Sequence, residues 1–134
     1  MQLPLQCATI ASNDFRMASP PVLDQEAVAN LRSLSPDDGD VFLKEILGIF
    51  LEDTPARIAE LHASKERGDT VSFTRAAHSI KGSSSNVGAL ELRAAAERLE
   101  SHSKQVGLDG TDALVVELTG AFTRVEAELR KLLV

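Results

Sequence analysis

The 134-residue chain has no tryptophan, no tyrosine and a single cysteine. Cys7 alone excludes an internal disulfide, which fits a reducing compartment. Phenylalanine supplies all of the 4% aromatic content, too little for a platform on which RNA bases stack. Positive charge is also scarce. Fourteen Lys and Arg against 20 Asp and Glu leave a net charge of −6, so the chain is a poor general ligand for nucleic acid or an anionic membrane. No stretch approaches the ~20 apolar residues of a membrane span. The short apolar lead ending at Gln6-Cys7 has no basic residue ahead of it and reads neither as a secretory signal nor as a lipoprotein anchor. A cytoplasmic, monomeric protein that stands alone from Met1, or from Met17, is the expectation. There is no Gly-rich phosphate loop and no kinase motif, so no ATP site and no cofactor are expected. His62, His78 and His102 are too scattered to form a metal site. No β-branched alternation is long enough for a strand, and there is no internal repeat.

What remains is one domain's worth of helix-forming sequence. Residues 1–22 lack periodicity and end in Ala18-Ser19-Pro20-Pro21, which reads as a flexible tail; residues 23–134 read as the folded domain. Asp24 is placed to cap a short helix over about 25–34, with Val28, Leu31 and Leu34 on one side. Ser35-Pro36-Asp37-Asp38 has the composition of a helix start: a cap, a proline, then acids on the positive end. The helix that follows carries Leu43, Leu47, Phe50, Ile58 and Leu61 on one stripe. Pro55 interrupts it, either by kinking the helix or because Thr54 caps a new one. Further helices are expected over about 70–86, 89–105 and 110–132. The first of these follows the break at Gly68-Asp69; the second carries Leu92, Ala95, Ala96 and Leu99, and the third Leu114, Leu118, Phe122, Val125, Leu129 and Leu132. Short loops between long amphipathic helices give an all-α, antiparallel up-down four-helix bundle with a short additional N-terminal helix.

The helix over 70–86 holds the least ordinary residues. At ~100° per residue Phe73, Ala77, Ile80 and Ser84 share the core face, with Ala76 and Val87 at its edge. His78 falls nearly opposite, in solvent, flanked by Thr74, Lys81 and Ser85. Gly82 lies one turn above it, although Gly costs a helix interior roughly 1 kcal/mol relative to Ala. Its physical use there is clearance, because another protein can approach the imidazole closely. Lys81 adds a positive charge within reach of an anion on the ring. His62 and His102 have no such surroundings and read as solvated.

The run His78-Ser79-Ile80-Lys81-Gly82-Ser83-Ser84, followed by Gly88-Ala89, resembles the motif of histidine-containing phosphotransfer (HPt) domains. Phe50-Leu51-Glu52-Asp53-Thr54-Pro55, Gly68-Asp69 and Leu99-Glu100 resemble the same family, and the likeness covers roughly residues 25–133. The resemblance implies a phosphorelay intermediate without kinase activity of its own. It would accept a phosphoryl group on His78 from the aspartyl phosphate of one receiver domain and pass it to another. The implied partners are receiver domains of response regulators and of a hybrid sensor histidine kinase, which would themselves hold any Mg²⁺. By the same resemblance Lys81 would screen the phosphoryl charge and Gly82 would clear the docking path. Glu100 stands where the family often has a Gln on the next helix. It either accepts the ring's other N–H or is a solvated surface acid. Lys104 either approaches the phosphate or complements the helix end. Phe42, Ile46 and Ile49 form a second apolar stripe, either covered by the first helix or facing a partner. Arg75, Ser85 and Lys104 complete the candidate docking surface. Two rival readings are a fragment of a dimerising histidine kinase and a non-catalytic helical bundle whose histidine is unused. The first lacks its marks, since Ser79 replaces the acid after the histidine and no Thr-Pro follows.

Overall fold

The computed structural model describes residues 20–35 and 37–133. Among them are five helices and no strand: α1 (Gln25–Ser33), α2 (Val41–Arg67), α3 (Thr70–Val87), α4 (Leu90–Gln105) and α5 (Asp112–Leu133). Helices α2 to α5 pack in a ring, each against the next and α5 back against α2. The four-helix bundle with a short additional helix is therefore the observed architecture. The core is one cluster of side chains lying at helical spacing on every element. Leu43, Leu47, Phe50 and Leu61 come from α2, and Phe73, Ala77 and Ile80 from α3. Leu92, Ala96 and Leu99 of α4 meet Leu118, Phe122, Val125 and Leu129 of α5. At ~25 cal/mol per Å² this apolar burial is what holds helices of such ordinary propensity together.

Local chemistry sets the helix ends. Asp24 caps α1 by accepting the Glu26 N–H, 3.0 Å, and Asp69 caps α3 by accepting the Ser72 N–H, 3.0 Å. α1 docks on the α3–α4 corner, where the Asp24 N–H donates to the Gly88 carbonyl at 2.7 Å and the Glu91 N–H to the Pro21 carbonyl at 3.0 Å. Gly88 has φ +77°, and a Cβ there would stand 2.6 Å from the Ala27 Cβ, so only glycine lets α1 come this close.

Four expectations need correction. α2 does not begin at Pro36, which lies outside the described residues. Residues 37–40 are turns, and the helix starts at Val41 after Asp40 in a left-handed conformation, φ 72°. Asp38 caps it from further back, accepting the Phe42 N–H at 3.2 Å, while Asp40 is held by the Arg32 guanidinium at 2.9 Å. Thr54 caps no new helix. It is buried in the middle of α2, which runs on through Pro55 with the proline ring on the exposed face. Leu34 is 69% exposed and does not share the Val28 side of α1. His102 is half-buried rather than solvated, because its Nε2 meets the Asp109 carbonyl in the loop before α5. The tail expected over residues 1–22 lies largely outside the described residues.

Candidate functional site

His78 sits mid-way along α3 on the face away from the core. Phe73, Ala77 and Ile80 lock that helix inward, and the His78 side chain is 65% exposed. The neighbouring α4 presents Glu100 beside it. Glu100 follows Leu99 on the edge of the α4 core stripe, in register with Ala96 and Ser103, so its side chain is only 6% exposed. It is no surface acid. Its Oε2 lies 2.9 Å from His78 Nδ1 and 3.1 Å from Lys104 Nζ, and its Oε1 lies 2.8 Å from Lys81 Nζ. One buried carboxylate thus gathers three of the residues named from the sequence. A second polar contact lies beneath them, between Thr74 Oγ1 and Ser103 Oγ at 2.7 Å.

Burial opposes ionisation of Glu100 most strongly. The hydrogen bonds from Lys81, Lys104 and His78 outweigh it together and hold the carboxyl down at about 2. Glu100 is therefore an acceptor with no proton of its own, and the His78 Nδ1 facing it must be the donor. In the neutral ring that leaves the free lone pair on Nε2, the nitrogen farther from the backbone. The sign for stability follows from linkage. A carboxyl lowered on folding stabilises the protein above its unfolded value, near 4.5, and loses that contribution as pH falls toward 2. The contribution is on the order of 3 kcal/mol. A Glu100→Gln chain lacks it, so between pH 4.5 and 2 the parent's melting temperature should fall more steeply than the variant's. Parallel curves would show that the cluster does not form in solution.

The remaining candidates divide between the two sides of α3. A Cβ on Gly82 would meet nothing within 4 Å, so the turn above His78 is open to an approaching surface. Ser85 donates to the Lys81 carbonyl at 3.1 Å and accepts from Arg93 Nε at 2.8 Å, which adds a guanidinium that the sequence reading passed over. Phe42 and Ile46 are half-buried, while Ile49 is 63% exposed; the stripe is neither wholly covered nor wholly free. Ile46 and Ile49 line a shallow groove with Ser83 and Asn86 of α3. Arg75 is exposed one turn below His78. It borders a larger groove between α3 and α4, of about 510 Å³, that also includes Val71, Thr74, His78 and Lys104. Val71 was missed, although its place seven residues before His78 puts it on the same helix face. Among the described residues no group of three or more His, Cys, Asp and Glu could hold a metal ion, and no helix is long and apolar enough to cross a membrane.

A family model described as "Hpt domain" matches residues 45–128. The crystal structure of histidine-containing phosphotransfer protein B from Pseudomonas aeruginosa PAO1 is 30% identical. It superposes with a TM-score of 0.76, over 84% of this chain and 95% of that one. The maize histidine-containing phosphotransfer protein ZmHP2, 23% identical, shares the fold at a TM-score of 0.75 over 84% of this chain and 83% of its own. The multistep phosphorelay regulator 1 of Schizosaccharomyces pombe is 27% identical over 96 residues, 72% of this chain. The chain spans about a third, 32%, of that relative's length.

Proposed function

The chain belongs to the Hpt domain family, a phosphotransfer family of two-component signalling, and on that premise we propose that it relays a phosphoryl group through His78 between receiver domains. The observation that carries this reading is the exposed His78 ring held by the buried Glu100 carboxylate, with Nδ1 occupied and Nε2 free. In the transfer, Nε2 attacks the phosphorus of an aspartyl phosphate in line. The N–P bond forms as the aspartate O–P bond breaks, and the aspartate leaves as its carboxylate. The Nδ1 proton stays in place, and the ring's growing positive charge faces Glu100. The return transfer to a second receiver reverses each change. Phosphoryl transfer of this kind needs positioning and charge neutralisation more than covalent help, so an exposed nucleophile beside two ammonium groups suffices. The chain itself acts as a carrier in the cytoplasm, a monomer with no kinase activity.

The test is incubation of the full chain with phosphorylated receiver domains. An acid-labile, base-stable phosphate on the chain is the expected product; no such label from any receiver would leave a non-catalytic bundle as the better account. Lys81 supplies a graded check. Its ammonium is shared with Glu100 and partly hydrated, so its worth to the phosphoryl anion is well below the ~4 kcal/mol of a pair at 4 Å in a medium of dielectric 20. Lys81→Ala should slow transfer about tenfold at low salt without preventing it. An unchanged rate would make Lys81 a structural partner of Glu100 and nothing more.

A further inference from the structure

The α3–α4 groove has a feature the relay reading does not use. Val71 is 66% exposed on the outer face of α3, in line with His78 and about 10.5 Å from it along the helix axis. Arg75 stands between them and makes no ion pair among the described residues. Elsewhere in the described chain only Lys44 shares that state; every other lysine and arginine there lies against an acid. On a chain of net charge −6, an uncommitted guanidinium in the same groove as His78 is free to pair with an acid outside the molecule. Lys104 closes the far rim, with its side chain 62% exposed. The acid that lines this groove with them, Glu100, is buried and already shared by Lys81, Lys104 and His78. The groove therefore offers one exposed apolar side chain, Val71, beside a cationic rim.

We propose that this groove is a second docking subsite for the receiver domain: it takes an apolar side chain of the receiver, while Arg75 pairs with a carboxylate next to that side chain. The proposal rests on the relay reading above. Size supports the choice of occupant. Even a transient interface covers about 500–800 Å² on each partner, a disc of about 13–16 Å radius. A receiver that brings its aspartyl phosphate to His78 thus covers Val71 as well as Gly82. Charge supports it too, because such a partner carries a carboxyl phosphate at the point of contact. A rim cation facing it would act mainly on the association rate and on its salt dependence.

The experiment uses a panel of purified receiver domains, each phosphorylated with acetyl phosphate, and in parallel phosphoramidate, a small donor that needs no docking surface. Val71→Asp and Arg75→Glu are both exposed changes, and each should lower the second-order transfer rate from a receiver at least tenfold. That loss should exceed any change in phosphoramidate labelling by a similar factor. The Arg75→Glu loss should shrink in 0.5 M NaCl, at a Debye length of about 4 Å, and the Val71→Asp loss should persist. Parental rates in both variants would overturn the subsite. So would equal losses with receiver and phosphoramidate, which would mean that the ring itself had been disturbed. A parent chain that self-associates, and becomes monomeric with Val71→Asp, would put a second copy in the groove instead. Labelling by phosphoramidate but by no receiver removes the proposed partner. Labelling by neither defeats the underlying phosphohistidine reading, a distinct result.

Discussion

A His78→Gln chain is expected to take up no phosphate from a phosphorylated receiver while melting within a few degrees of the parent. The two halves of that expectation have separate causes. Uptake depends on one lone pair, on Nε2, and an amide nitrogen has no comparable nucleophile to offer. Stability depends on the buried face of α3, from which His78 points away. The cost of the change is the hydrogen bond to Glu100, about 1 kcal/mol, and the glutamine amide can still donate there. Glu100 also keeps Lys81 and Lys104, so the carboxylate is not left bare. Autoradiography of the labelled chain and a melting curve followed by circular dichroism check the two halves. Labelling of the variant at the parental rate would move the accepting group elsewhere and remove the relay mechanism. His62→Gln, by contrast, should change neither quantity, since that side chain is exposed and stands outside the site.

Gly82→Leu should separate stability from function more sharply. The helix continues through Gly82, and a side chain there enters open space, so the substitution costs no packing. By propensity alone leucine improves on glycine by several tenths of a kcal/mol in a helix interior. Yet the new side chain projects one turn above His78, on the surface a partner must cover. In-line transfer needs the reacting atoms within ~3–3.5 Å, and a displacement of about 1 Å is enough for a loss near a hundredfold. The variant is therefore expected to melt no earlier than the parent and to accept phosphate about a hundredfold more slowly. If it melts early, the glycine serves contact between helices. If it transfers normally, the partner docks without covering this turn.

The core and the outward position of His78 were legible because both follow from helical periodicity. Leu43, Leu47, Phe50 and Leu61, or Phe73, Ala77 and Ile80, recur on one side of a helix whatever the rest of the chain does, and the same arithmetic puts His78 outside. The start of α2 was not legible, since Pro36, Asp37 and Asp38 have the composition of a first helical turn. What delays the helix is the Gly39-Asp40 turn, with Asp40 held in a left-handed conformation beside Arg32, and that depends on where α1 ends in space. Pro55 was open between two outcomes for a similar reason, as only the packing of Leu51 and Thr54 beneath it decides that α2 runs through. Glu100 lay on the border. Its spacing from Ala96 and Ser103 marks the edge of the core, but the carboxylate stays buried because lysines from two different helices converge on it. No local pattern states that convergence. His102 likewise depends on a loop folding back to bring it the Asp109 carbonyl.

The corner at Gly88 has a consequence for motion. Nine residues are too few for α1 to persist as a helix by itself; isolated helices shorter than about 12–15 residues are marginal in water. Its Asp24 and Pro21 contacts to the α3–α4 corner, the burial of Val28, the packing of Leu31 against the core and its contact with α2 keep it folded. α1 should therefore detach as a unit without the bundle opening, and its amides should exchange with deuterium through that local event rather than through global unfolding. Any side chain at residue 88 would wedge the corner apart against Ala27 and bring the exchange of α1 close to that of a free peptide, while the amides of α3 and α5 kept their protection. The N-terminal helix is thus a separate thermodynamic layer of this domain, and its tightest approach to it runs over one glycine.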